Sequence, residues 1–85
     1  MARYEIRVLP SAAKDTRNIP TVDLGRILER IASLQDDPRP MGSVKLASLS
    51  SYRIRQGNYR IVYKIDDAQL NVVVLKIGHR RDIYR

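Results

Sequence analysis

The side chains through which this sequence could do chemistry are mostly arginines and tyrosines. Arg53, Arg55 and Arg60 lie on either side of a Gly57-Asn58 pair, and Arg80, Arg81 and Tyr84 follow in the tail. Arginine holds phosphate through a planar, bidentate fork, and tyrosine both stacks on a nucleobase and donates a hydrogen bond. Residues of these types in one half of a chain point to a phosphate-bearing partner. The acidic residues suggest no metal centre: Asp66-Asp67 has turn composition, Asp82 sits among arginines that can pair with it, and Asp36-Asp37 belongs to a loop.

Composition narrows the classes further. With 85 residues and no cysteine, the chain is predicted to be a single domain spanning 1–85, and a disulfide scaffold or cysteine zinc site is impossible. A domain this small buries only about 60% of its unfolded surface, which disfavours a large internal substrate cavity. At 44% hydrophobic and 29% charged residues the chain reads as globular. It shows no secretory segment and no apolar run long enough to span a bilayer, so a cytoplasmic location and no membrane partner are expected. The net charge is +7, and residues 44–85 carry nine basic against three acidic side chains. The excess therefore sits in one half, as a surface built for a polyanion would have it.

The elements that must position these residues follow from periodicity. Arg3 to Leu9 alternates as a half-buried strand, with Tyr4, Ile6 and Val8 on one side. Ser11 is predicted to cap a short helix running to about Arg17, interrupted by Pro20. Leu24, Ile27, Leu28, Ile31 and Leu34 then mark an amphipathic helix with Thr21 as its cap, ending near Gln35 before Asp36-Asp37-Pro38-Arg39-Pro40. From Val44 the period becomes two, with strands predicted over Val44–Ala47, Tyr52–Gln56, Tyr59–Ile65 and Leu70–Ile77. The expected fold is α+β: two N-terminal helices packed on a mainly antiparallel sheet of four to five strands.

The Gly57-Asn58 turn fixes a register. A two-residue loop sets Gln56 opposite Tyr59, Arg55 opposite Arg60, Ile54 opposite Ile61, Arg53 opposite Val62 and Tyr52 opposite Tyr63. Tyr52, Ile54, Ile61 and Tyr63 then form a core face, and Arg53, Arg55, Arg60, Val62 and Lys64 share the other. Like charges directly across a ladder repel by a few tenths of a kcal/mol or more unless an anion lies between them. Tyr52, Tyr59 and Tyr63 read as core residues in a chain without Phe or Trp, whereas Tyr84, after the charged stretch, reads as functional.

Lys45-Leu46, Tyr52-Arg53-Ile54-Arg55, Gly57-Asn58-Tyr59-Arg60-Ile61-Val62-Tyr63, Val72-Val73-Val74-Leu75 and Gly78-His79-Arg80-Arg81-Asp82-Ile83-Tyr84 together resemble the RelE toxins of type II toxin–antitoxin systems, within the RelE/ParE superfamily. The resemblance spans nearly the whole chain. It implies a RelE-like microbial ribonuclease fold and a metal-independent, cofactor-free endoribonuclease that enters the ribosomal A site and cuts mRNA. It also implies a RelB-like antitoxin that wraps the toxin and blocks its site. Matched position by position, Arg60, Arg80, Tyr84 and Arg55 become catalytic candidates, with Arg53, Arg55, Lys45 and Arg81 on the RNA.

In RNA the 2′-OH is a built-in nucleophile. Arg60 and Arg80 suit stabilisation of the charge that develops on the phosphoryl oxygens. Arginine, with a pKa above ~12, cannot accept the proton, and the family commonly has lysine where this chain has Arg53 and Arg55. His79 is a candidate base because histidine ordinarily titrates near neutrality, and Tyr84 is a candidate to orient the nucleotide or pass a proton. Two other readings share these features: a ParE-like inhibitor of DNA gyrase, and a basic RNA-binding module without catalysis.

Overall fold

A computed structural model describes residues 3–47 and 50–79. Its elements run β1 (Glu5–Val8), α1 (Pro10–Asp15), a 3-10 turn (Thr16–Asn18), α2 (Thr21–Ser33), β2 (Val44–Lys45), β3 (Ser51–Gln56), β4 (Tyr59–Asp66) and β5 (Asn71–His79). The strands form one sheet in the order β1-β5-β4-β3-β2. β2 to β5 are the expected antiparallel meander. β1 adds a fifth strand, parallel to β5, pairing Glu5 with Asn71 through Val8 with Val74.

The helix starts differ from expectation in a consistent way. Both are set by proline geometry and not by hydroxyl caps. Pro10 is the first residue of α1 and Leu9 its cap position, while Pro20 occupies the cap position of α2 and Thr21 its first turn. Proline's fixed φ suits a helix entry, and neither cap position makes a side-chain hydrogen bond. The Ser11 hydroxyl instead donates to the Leu75 carbonyl.

Both helices cover one face of the sheet. Ala12 from α1, and Ile27, Ile31 and Leu34 from α2 and its end, pack on Ile54, Ile61, Tyr63, Ile65, Val72, Val74 and Ile77. Each buried aliphatic side chain contributes about 1.5–3 kcal/mol relative to an exposed one. Leu28, one residue round the helix from Ile27, stays 51% exposed.

At the far end of the core, Arg39 ties the loop after α2 to the sheet. Its guanidinium spans the Asp67 carboxylate at 2.8 and 3.2 Å, donates to the Tyr52 hydroxyl at 3.1 Å, and lies 5.3 Å from the Tyr52 ring centre. Tyr4 donates to the same carboxylate, and Tyr63 donates to the Pro38 carbonyl at 2.8 Å. Hydrogen bonds from Arg39 and then Tyr4 hold the Asp67 carboxyl down at about 2. Burial pushes the Tyr63 hydroxyl up to about 12. Asp67 is thus an ion-pair partner, whereas Asp66 initiates the turn by accepting from the Gln69 amide.

Candidate nucleic-acid interface

The open face of the sheet carries the charge. Gly57, at φ +60°, makes the tight turn between β3 and β4, and the ladder pairs Arg55 with Arg60, Arg53 with Val62 and Ser51 with Lys64. This is the register expected from the two-residue loop. Partners across a ladder share a face, so Arg53, Arg55, Arg60, Val62 and Lys64 lie together, opposite the buried Ile54, Ile61 and Tyr63.

β5 extends that face in a way its own sequence hides. Val62 pairs with Lys76 but Tyr63 pairs with Val74, so Leu75 is an extra residue in β5. A bulge inverts the side-chain phase beyond it. Carried unbroken from the buried Val72 and Val74, alternation would turn His79 outward and Lys76 inward. With the bulge, Ile77 is buried and His79 pairs with Tyr59 on the helix-covered side, their ring centres 5.7 Å apart at 82°. Lys76 and Gly78 turn to the open face, Lys76 opposite Val62 and Gly78 opposite Arg60.

Two rows therefore cross the open face. One reads Arg55, Arg60, Gly78 and the other Arg53, Val62, Lys76. Arg55, Lys64 and Lys76 are exposed, while Arg53 and Arg60 are half-buried, with the Arg60 Nε shielded from solvent. A guanidinium whose Nε is buried has fewer directions open to its terminal donors than a fully exposed one, which favours preorganised charge stabilisation. Gly78, without a side chain, adds no bulk of its own beside Arg60 on that row.

The face gathers Arg53, Arg55 and Arg60, but not every sequence candidate. Lys45 pairs with Tyr52 and so takes the helix side of the sheet's edge. His79 lies on that side too. Arg80, Arg81 and Tyr84, and the suggested Asp82 pairing, lie outside the described residues. Lys76 joins the interface without having been singled out, because its side depends on the bulge. Among the described residues no cluster of His, Asp or Glu could hold a metal ion, and no helix is long and apolar enough to cross a membrane.

Known proteins share this architecture. Residues 6–84 match the family described as the ParE toxin of the parDE type II toxin–antitoxin system. Toxin RelG of Mycobacterium tuberculosis is 33% identical over 84 residues, covering 96% of this chain and 97% of the relative. The crystal structure of the RelBE2 toxin–antitoxin complex from the same organism contains a chain that superposes with a TM-score of 0.80 at 28% identity, over 92% of this chain and 99% of that one. A chain of the archaeal RelE–RelB complex from Pyrococcus horikoshii superposes at 0.84 and 25% identity, over 96% and 99%. The chain belongs to the RelE/ParE superfamily of type II toxin–antitoxin toxins. Its curated relatives are toxins of the RelE kind.

Proposed function

We propose that this toxin is a ribosome-dependent endoribonuclease that cuts mRNA in the A site and so halts translation in the cytoplasm. The observation that carries the reading is the row Arg55, Arg60, Gly78 on the helix-free face, where two cations meet across the ladder beside a residue with no side chain. The message lies over this row, with Arg53, Arg55 and Lys76 on its phosphates and Arg81 at the margin. Arg60 and Arg80 stabilise the charge that builds on phosphorus as the 2′ oxygen attacks. The bond from the 2′ oxygen to phosphorus forms and the bond to the 5′ oxygen breaks, leaving a cyclic phosphate and a free 5′ hydroxyl. The 2′-OH proton leaves through Tyr84 to solvent, and the departing oxygen takes one from water. His79, across the sheet from Arg60, takes no proton in this scheme. The reaction needs no metal and no organic cofactor, because the nucleophile belongs to the substrate.

The toxin's partner is a RelB-like antitoxin. Structural relatives from Mycobacterium tuberculosis and Pyrococcus horikoshii come from complexes of RelE with RelB, and the basic half of this chain suits an acidic covering segment. Co-purification with the product of its genomic neighbour tests the pairing. The family description favours one rival, inhibition of gyrase in the manner of ParE. Cleavage of a defined mRNA on programmed ribosomes, set beside DNA supercoiling by gyrase, separates the two. Cut message with normal supercoiling is expected. Intact message with blocked supercoiling overturns the proposal, and ribosome binding without cleavage reduces the protein to an RNA-binding module.

A further inference from the structure

The open basic face does not end at β5. β1 pairs with β5 only as far as Val74, so among the described residues no strand pairs with the outer edge of β5 from Leu75 to His79. α1 approaches that edge instead: Asp15 accepts the Ile77 amide at 3.1 Å and Ser11 donates to the Leu75 carbonyl. Between the end of α1, the 3-10 turn and the edge lies a cleft of about 350 Å³. Its walls include Gly78 and Lys76, the two residues by which β5 extends the basic face, together with Lys14, Asn18, Tyr59 and His79.

The cleft is thus the place where a strand of RNA crossing Arg55, Arg60 and Gly78 leaves the sheet. Gly78, on its wall, is the ladder partner of Arg60 on the neighbouring strand, about 4.8 Å away backbone to backbone. Its size falls at the small end of ligand clefts, enough for a single base and not for a folded element. Its chemistry is mixed. Lys14 and Lys76 are cations for a phosphate, Tyr59 and His79 form a ring pair, the Asn18 amide both donates and accepts, and Asp15 carries a carboxylate. Rings and a two-way amide read a base edge, and a carboxylate accepts from an exocyclic amine. An acidic peptide would use the two lysines but would bring no base edge to the Asn18 amide or the ring pair.

We propose that this cleft is a nucleotide subsite that receives the base and phosphate next to the scissile position of the message. The subsite rests on the ribonuclease reading for its substrate, but it is tested without cleavage. The probe is a short single-stranded RNA carrying 2′-O-methyl groups, titrated into the full chain while the Asn18 side-chain amide and the His79 ring are followed by NMR. A peptide of glutamates is titrated in parallel. Saturable shifts at both residues with the RNA are expected, with affinity at least tenfold weaker in a Lys14→Ala/Asn18→Ala variant whose other resonances are unchanged. Lys14→Arg/Asn18→Gln, which keeps charge and amide, should recover most of the binding. RNA shifts confined to β3 and β4, or stronger shifts with the glutamate peptide than with RNA, overturn the subsite. A message cut on ribosomes with no response in the cleft sinks the subsite alone, whereas RNA held in the cleft beside an uncut message supports it and sinks the nuclease.

Discussion

Arg55 and Arg60 face each other in a ladder position where natural sheets usually place opposite or neutral side chains. Such a pair costs the fold a little, and an anion lying over it offsets that cost. Arg55→Thr should therefore raise stability by about 0.2–1 kcal/mol in urea unfolding while weakening RNA binding. A loss of both would show that Arg55 supports the fold. Asp67 tests the opposite corner. Its carboxyl sits at about 2 in the folded chain because of Arg39 and Tyr4, below the usual ~3.9 of an unfolded aspartate. The folded state then binds fewer protons, so the stabilisation is complete above pH ~4 and lost as pH falls toward ~2. Asp67→Asn should lower the unfolding midpoint at pH 5 and converge with the parent near pH 2. Parallel curves across that range would contradict the assignment. The hairpin arginines were legible in the sequence because two-residue turns allow few registers. The Arg39 pairing was not, since Asp67 comes 28 positions later and sequence alone makes it a turn residue.

Among the elements, the β3–β4 hairpin sets the register of the whole interface. Gly57 has φ +60° and an added Cβ would meet nothing within 4 Å, so the demand on this position is purely conformational. Gly57→Ala should cost about 1–2 kcal/mol of stability with no steric clash to relieve, read from denaturant midpoints. A neutral result would mean the turn adapts, and the Arg55–Arg60 register would no longer depend on it. The parallel pairing of β1 with β5 was less accessible, because those strands lie more than sixty positions apart and parallel partners leave no turn signature. The bulge at Leu75 was hidden for a different reason. Val72-Val73-Val74-Leu75 offers four apolar side chains in a row, and nothing in such a run marks which residue is extra. That one residue moves His79 away from Arg60 and brings Lys76 to it. His79→Gln should accordingly leave the shape of the pH–rate profile for mRNA cleavage unchanged between about pH 5.5 and 7.5, where a histidine base would bend it. A flattened profile would return the imidazole to the proton path.

Seen whole, the molecule is a sheet with its helices on one side and Arg53, Arg55, Arg60, Lys64 and Lys76 on the other. The helices provide the apolar cover that a domain this small needs, which frees the opposite face from packing duties. The net charge of +7 then acts as a surface property with a location. Five of the cations lie where β3, β4 and the bulged end of β5 run side by side, and in the proposed function they draw an anionic strand toward Arg60. Single-turnover cleavage of mRNA in the A site of programmed ribosomes, by the parent chain and by Arg60→Ala, tests this account most directly. The parent should cut, and the variant should be slower by about 100-fold or more with ribosome affinity nearly unchanged, as expected for loss of a donor that acts on the transition state. An uncut message with the parent chain, or equal cleavage rates for the two proteins, would contradict it.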